Sequence, residues 1–127
     1  MLISRLKGGL GNQLFIYSFI YTLADNLSTD FCFDIEDYTN KLGQKLEIDK
    51  LNLRFKICET KKLKKFRKIS KFRFEEKIKN ILGYKIFSNS VITEELFNKS
   101  FYDKFNIKND YYLDGYWQNI NFLWNAK

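Results

Sequence analysis

Gly8-Gly9-Leu10-Gly11-Asn12-Gln13 is the stretch of this chain best suited to chemistry. Glycines permit backbone angles closed to other residues and let another group approach the main chain closely. A helix starting straight after such a loop points unpaired N–H groups and a partial positive charge at whatever lies above it. That arrangement receives phosphates and other anions. Gly9, Gly11, Asn12 and Gln13 are therefore candidate binding residues. A second candidate group is Gly115-Tyr116-Trp117-Gln118, whose aromatic faces and amide suit the edge of a sugar or nucleotide cleft. Asp34, Glu36, Asp37 and Asp114 are candidate general bases, and their spacing singles out none. Each group also has a plain structural reading: a Gly-Gly-x-Gly turn is often only a turn, and aromatics beside a glycine commonly pack.

The elements that must position these residues are legible from periodicity. Leu2 to Leu6 reads as a first strand. The apolar run Leu14 to Ala24, broken only by Ser18 and Thr22, reads as a core-buried helix starting near Asn12 and ending near Asn26 to Thr29. Asp30 to Ile35 reads as a second strand. Strand, helix, strand is a βαβ unit, so the default is a parallel pair with a right-handed crossover. The glycine loop then falls at the carboxyl end of the first strand, where open α/β sheets bind ligands. Glu36 to Gln44 reads as a polar loop, and the alternation from Leu51 to Ile57 suggests a short strand. Lys61 to Leu82 is a basic segment with Leu63, Phe66, Ile69, Phe74, Ile78 and Ile81 at helical spacing, ended by Gly83. Tyr84 to Phe87 and Val91-Ile92 are strand-like. Glu94 to Phe105 reads as a loop around a short helical turn. Tyr111 to Gln118 is a strand entering a glycine-centred turn, and Asn119 to Asn125 begins a helix.

The chain has 127 residues, which is the length of one domain, with 45% apolar and 18% aromatic residues. It contains no histidine and no proline. A zinc site or a Ser-His-Asp arrangement built from this chain alone is nearly excluded, and no metal is expected. Cys32 and Cys58 lack metal-ligand spacing and read as two reduced, buried thiols in a cytoplasmic protein. The net charge of +7 is unevenly placed: Lys56 to Lys85 holds 12 Lys and Arg against Glu59, Glu75 and Glu76, a net of +9, and the remainder carries −2. A charge confined to one segment argues against a nucleic-acid-binding face. It suits either a solvated helix or a basic amphipathic helix, Lys61 to Leu82, lying on an anionic membrane surface. The apolar run is too short to span a membrane. A secretory signal would not place glycines and Asn12-Gln13 between its charges and its apolar middle.

Gly8-Gly9-Leu10-Gly11-Asn12-Gln13-Leu14-Phe15 resembles the N-terminal motif of glycosyltransferase family 11, the α-1,2-fucosyltransferases of surface glycans. Tyr112-Leu113-Asp114-Gly115-Tyr116-Trp117-Gln118 is similar to that family's Y-L-x-G-Y-W-Q segment. Leu46-Glu47-Ile48-Asp49-Lys50-Leu51, Val91-Ile92-Thr93-Glu94-Glu95 and Phe101-Tyr102 resemble looser family stretches, in the family's order. Glu59 to Lys85 matches nothing. The resemblance implies an α/β fold: a Rossmann-like parallel sheet with flanking helices, forming the N-terminal half of a GT-B-like glycosyltransferase. It also implies a GDP-fucose donor, a galactoside acceptor and no metal; the thiols and the basic segment add the expectation of a cytoplasmic protein, peripheral at the inner face of the membrane. By similarity, Gly9 to Gln13 would approach the donor's diphosphate and sugar, with Asn12 as the side-chain contact. The family's His-x-Arg-Arg-x-Asp signature, whose arginine holds the diphosphate, is absent from these 127 residues. The expectation is thus an N-terminal fragment without turnover of its own.

Two other classes fit parts of the sequence. A dinucleotide-binding module would read Gly9-Leu10-Gly11 as the start of G-x-G-x-x-G with Asp34 at the ribose, but Leu14 stands where the third glycine belongs. A non-catalytic membrane-associated remnant would rest on the basic helix alone.

Overall fold

A computed structural model describes residues 1–39, 43–75, 90–94, 97, 109–119 and 121, with side chains of the 68–75 segment left aside. Its strands are β1 (Leu2–Arg5), β2 (Phe31–Asp34), β3 (Val91–Thr93) and β4 (Tyr111–Asp114). Its helices are α1 (Leu10–Asn26), the four-residue α2 (Glu36–Thr39) and α3 (Thr60–Glu75), with a 3-10 turn at Ile48–Lys50. The four strands form a parallel sheet in the order β2-β1-β4-β3, with Leu2 opposite both Phe31 and Tyr111. This is an α/β fold with helices on both faces. The strand order differs from both common doubly wound orders, 3-2-1-4-5-6 and 2-1-3-4-5.

Strand side chains alternate between faces, and that alternation builds two cores. Leu2, Phe31, Phe33, Ile92, Tyr111 and Leu113 face α1, meeting Ile16, Tyr17, Phe19, Ile20 and Leu23. Ile3, Cys32, Val91 and Tyr112 face the other way and meet Leu63 and Phe66 of α3. Phe66 stacks on Tyr112 with ring centroids 5.7 Å apart. The basic segment therefore spends Leu63 and Phe66, the start of its apolar stripe, on the sheet, while Lys61, Lys62, Lys64 and Lys65 are exposed. Insertion of Leu63 and Phe66 into a membrane is replaced by their burial. Residues 76–89 lie outside the described region, and with them the rest of the Lys61 to Leu82 helix, its stop at Gly83 and the strand-like Tyr84 to Phe87. Phe101-Tyr102, most of Glu94 to Phe105 and most of Asn119 to Asn125 lie outside it too. Among the described residues, no helix is long and apolar enough to cross a membrane.

Several expectations are corrected. α1 begins at Leu10, two residues before Asn12, so Gly11, Asn12 and Gln13 occupy its first turn and the loop proper is Lys7 to Gly9. α1 is not buried all round: Leu14, Phe15 and Tyr21 are 39–46% exposed. One sheet face offers α1 one burial stripe, and no described element covers the opposite one. α2 occupies the start of the expected Glu36 to Gln44 loop. The alternation from Leu51 gives no strand, only an isolated parallel bridge between Phe33 and Ile57. Asn52 adopts a left-handed φ of 48°, which breaks the extended run, and Leu51, Leu53 and Ile57 are exposed. Phe55 alone is drawn in, stacking on Phe33 at 5.0 Å. Cys32 and Cys58 are not separate thiols: a disulfide joins them, with Cα atoms 5.2 Å apart. Their pairing follows from that bridge, which lays the segment before α3 along β2, where the Cys58 N–H donates to Phe33 O at 2.9 Å.

Candidate functional site

The site is assembled where β1 and β4 end side by side. After Arg5 the chain turns through Gly8, whose φ of +79° is left-handed and favours glycine. A Cβ there would lie 2.3 Å from Asn12 Nδ2, so Gly8 is also required by close approach. The Gly8 carbonyl is fixed twice, accepting from the Tyr38 hydroxyl at 2.8 Å and from Gln13 Nε2 at 3.0 Å. Burial pushes the Tyr38 hydroxyl up to about 12, which keeps it a donor. Gly9 caps α1 without a side-chain hydrogen bond to the first-turn amides. Both Gly9 and Gly11 are exposed, and a Cβ at either would meet nothing within 4 Å. Nothing inside the described chain demands glycine at these two positions. They leave the positive end of a 17-residue helix bare to an approaching group.

The second stretch follows β4. Gly115 is buried, and a Cβ there would lie 2.6 Å from Glu94 Cγ. The Glu94 carboxylate accepts the backbone N–H groups of Tyr116 and of Trp117, the latter at 2.7 Å, and so holds the turn. Trp117 has a φ of 56°, a conformation that favours glycine, and its ring is buried, stacking on Phe19 at 4.1 Å and meeting Phe97 edge-on at 5.5 Å. Gln118 points back across the gap, its Nε2 donating to Asn12 Oδ1 at 2.6 Å. Tyr116 is exposed, with the Lys7 ammonium 4.5 Å from its ring centroid.

The sequence-predicted residues thus divide. Gly9, Gly11, Asn12, Tyr116 and Gln118 share one accessible rim. Gln13 and Trp117 are corrected to framework roles. Gln13 is fully buried, and its carboxamide fills its hydrogen-bonding capacity within the fold. Its Nε2 donates to Gly8 O and to Lys45 O at 2.9 Å, and its Oε1 accepts from Glu47 N and Ile48 N, both at 3.0 Å. Gly115 is likewise buried and serves the turn.

Behind the rim lies a charge cluster that the sequence left scattered. Three strands close on a charged residue: Arg5, Asp34 and Asp114. Arg5 pairs with Asp37 at 2.7 Å and Asp114 at 3.3 Å, and Lys7 pairs with Asp114 at 2.8 Å. Burial alone would lower the Arg5 pKa, but the hydrogen bond that Arg5 donates to Asp37 and the charges of Asp114 and Asp37 raise it. Asp34 is fully buried; it accepts from Arg67 Nη2 at 2.5 Å and Nε at 2.9 Å, from the Glu36 N–H at 3.0 Å and from the Tyr112 hydroxyl at 2.8 Å. Arg67 also lies 3.3 Å from Glu36. Arg5, Lys7, Tyr38, Arg67, Glu94 and Tyr112 were not assigned to the site from sequence. The signal available was the charged residue ending each of three strands. Alternating donors and acceptors of this kind suit hydroxyl-rich ligands better than a lone anion. Asp34 is removed as a base and as a ribose contact, because its oxygens are occupied and out of solvent.

Burial alone would raise the Asp34 pKa, but the bonds from Arg67, Glu36 and Tyr112 bring it below its ordinary 3.8. Asp110, held by Lys62 and the amino terminus against the same burial effect, is also lowered. A carboxylate lower in the folded than in the unfolded state contributes stability above the unfolded pKa and loses it as pH falls through the folded one. The thermal midpoint is therefore expected to fall as the pH drops below about 4, the region where these carboxylates take up protons on unfolding. Asp34→Asn should flatten that descent without abolishing it, since Asp110 remains. Equal slopes for the two proteins, measured by circular dichroism melts from about pH 5 to about pH 2, which brackets the ordinary carboxylate range, would refute the assignment.

No family model, no curated protein and no solved structure matches this chain.

Proposed function

We infer that this chain is the N-terminal, GT-B-like half of a galactoside α-1,2-fucosyltransferase that uses GDP-fucose. The observation that carries the reading is the meeting of its two motif stretches. Asn12 and Gln118 are 106 residues apart in sequence and hydrogen-bonded at 2.6 Å, at the carboxyl ends of adjacent parallel strands. The bare Gly9 and Gly11 support an approaching diphosphate, and the Tyr116 face and mixed-charge rim support a sugar. The dinucleotide alternative loses its acid, because Asp34 is sealed beneath Arg67 and Tyr112. The basic face of α3 favours a peripheral place at the cytoplasmic face of an anionic membrane, whereas the disulfide favours an oxidising compartment.

The test uses Gly11→Leu. Gly11 is exposed in the first turn of α1 and a Cβ there meets nothing within 4 Å, so the variant should fold as well as the parent. Its side chain projects into the open space above the loop. GDP binding by titration calorimetry is expected for the parent and should weaken more than about tenfold in the variant, the equivalent of 1.4 kcal/mol of lost contact. Unchanged GDP affinity, or tighter binding of NAD than of GDP, would overturn the reading. Product formation is a separate arm. Departure of GDP leaves negative charge that needs a stabilising cation or fixed donors. A helix end supplies at most about 2 kcal/mol. These 127 residues, without the His-x-Arg-Arg-x-Asp stretch, are expected to yield no fucosylated galactoside from labelled GDP-fucose.

A further inference from the structure

A second polar groove lies at the opposite end of the sheet, independent of the transferase reading. It has a volume of about 460 Å³ and is lined by Lys61, Lys62, Lys65, Phe66, Ser90, Asn109 and Asp110. Its frame is fixed by the fold. Ser90 O accepts from Tyr112 N at 2.7 Å, and Asn109 O accepts from the Met1 ammonium at 3.3 Å. The groove's one carboxylate is already balanced: Asp110 lies 3.0 Å from Lys62 and 3.3 Å from the Met1 ammonium. Lys61 and Lys65 are one helical turn apart on α3 and form no ion pair among the described residues. They bring two cationic charges to a groove that Ser90 and Asn109 also line, with Phe66 as an apolar wall.

We propose that this groove binds a phosphomonoester dianion through Lys61 and Lys65, with Ser90 and Asn109 as hydrogen-bonding partners. Two ammonium groups match two negative charges, and the phosphoryl oxygens accept every proton the four side chains donate. Such a group comes either from a soluble phosphate ester or from the exposed phosphate of a phosphatidic-acid headgroup.

Inorganic phosphate, followed by the amide resonances of Ser90 and Asn109, tests the site directly. Saturable shifts are expected. Lys61→Gln/Lys65→Gln should weaken binding about tenfold, because two charge-assisted contacts are lost. Lys64→Gln removes a charge from the same helix outside the groove and should change binding by less than about twofold, the effect of screened surface charge. Vesicles of phosphatidylcholine with phosphatidic acid separate the sources. If they bind the protein and perturb Ser90 and Asn109, the headgroup is the ligand; if they do not while phosphate does, the ligand is soluble. Absence of shifts with both probes, or equal weakening by Lys64→Gln, overturns the proposal. The three lysines are exposed, so melting curves of the variants should match the parent's.

Discussion

Replacing Cys32 and Cys58 together by alanine should lower the thermal midpoint by on the order of 10 °C, as follows from the loop they close. The two residues are 26 apart in sequence. On the chain-entropy account, closing a loop of that length removes about 3 to 4 kcal/mol of freedom from the unfolded chain. The bond also holds the segment before α3 against β2, where Lys56 O accepts from the Phe33 N–H and the Cys58 N–H donates to Phe33 O. Without it, the first turn of α3 is the next point of attachment, through Leu63 and Phe66. The denatured, unreduced protein should show no titratable thiol, and two after dithiothreitol. Two thiols before reductant, or an unchanged midpoint in the double variant, would contradict the bridge. The expected result also bears on location, since a persistent disulfide belongs to an oxidising environment and not to the cytoplasm expected from sequence.

Gln13→Met should cost about 2 to 3 kcal/mol, a fall of roughly 10 °C in midpoint for a chain of this size. Methionine keeps most of the volume, so the loss reports hydrogen bonding and not a cavity. Gly8 O keeps the Tyr38 hydroxyl as a donor, but Lys45 O, Glu47 N and Ile48 N lose their partner. Ile48 is fully buried, so its N–H cannot turn to water, and an unsatisfied buried donor costs about 1 to 3 kcal/mol. The other two groups are partly exposed and recover some hydration. Faster hydrogen exchange at Glu47 and Ile48, with other amides of α1 still protected, would localise the effect. A midpoint within about 2 °C of the parent would show that the four bonds are worth little, against the magnitude expected for buried pairs. Because Gln13 also orients the Gly8 carbonyl, the proposed GDP binding should weaken alongside stability.

The local elements were largely readable. β1, β2 and β4 fall within the segments that periodicity marked, β3 exceeds its segment by one residue, α1 starts two residues early, and the parallel β1–β2 pair follows from the length of the crossover. The boundary errors have local causes. The helix could start at Leu10 because a glycine at its first turn loses little: the N–H groups there have no intrahelical acceptor anyway. The strand read from Leu51 to Ile57 failed because Asn52 turns left-handed and β2 pairs with that segment only around Phe33.

The site was half legible. Composition and glycine spacing pointed to Gly9, Gly11 and Asn12, and the aromatic stretch to Tyr116 and Gln118; these are accessible and adjacent. The same reasoning could not tell Gln13 from Asn12, because two neighbouring amides on a helix point about 100° apart and only the surroundings decide which is enclosed. It could not tell Trp117 from Tyr116 for the same reason. Nor could it find Glu94, whose role depends on β3 running beside β4.

By itself the sequence determined β1, α1, β2, the start of α3, β3 and β4 in their order, the glycine turn at the end of β1 and the confinement of positive charge to one segment, but not α2. These are set by side-chain periodicity and backbone freedom among near neighbours. The tertiary structure alone decided the strand order β2-β1-β4-β3, and with it the meeting of residues 12 and 118, the bridge between Cys32 and Cys58, and the sealing of Asp34 under Arg67 and Tyr112. Those outcomes depend on where long connections land. A connection's length constrains its landing place only weakly, because the entropy of closing a loop grows slowly with the number of residues in it.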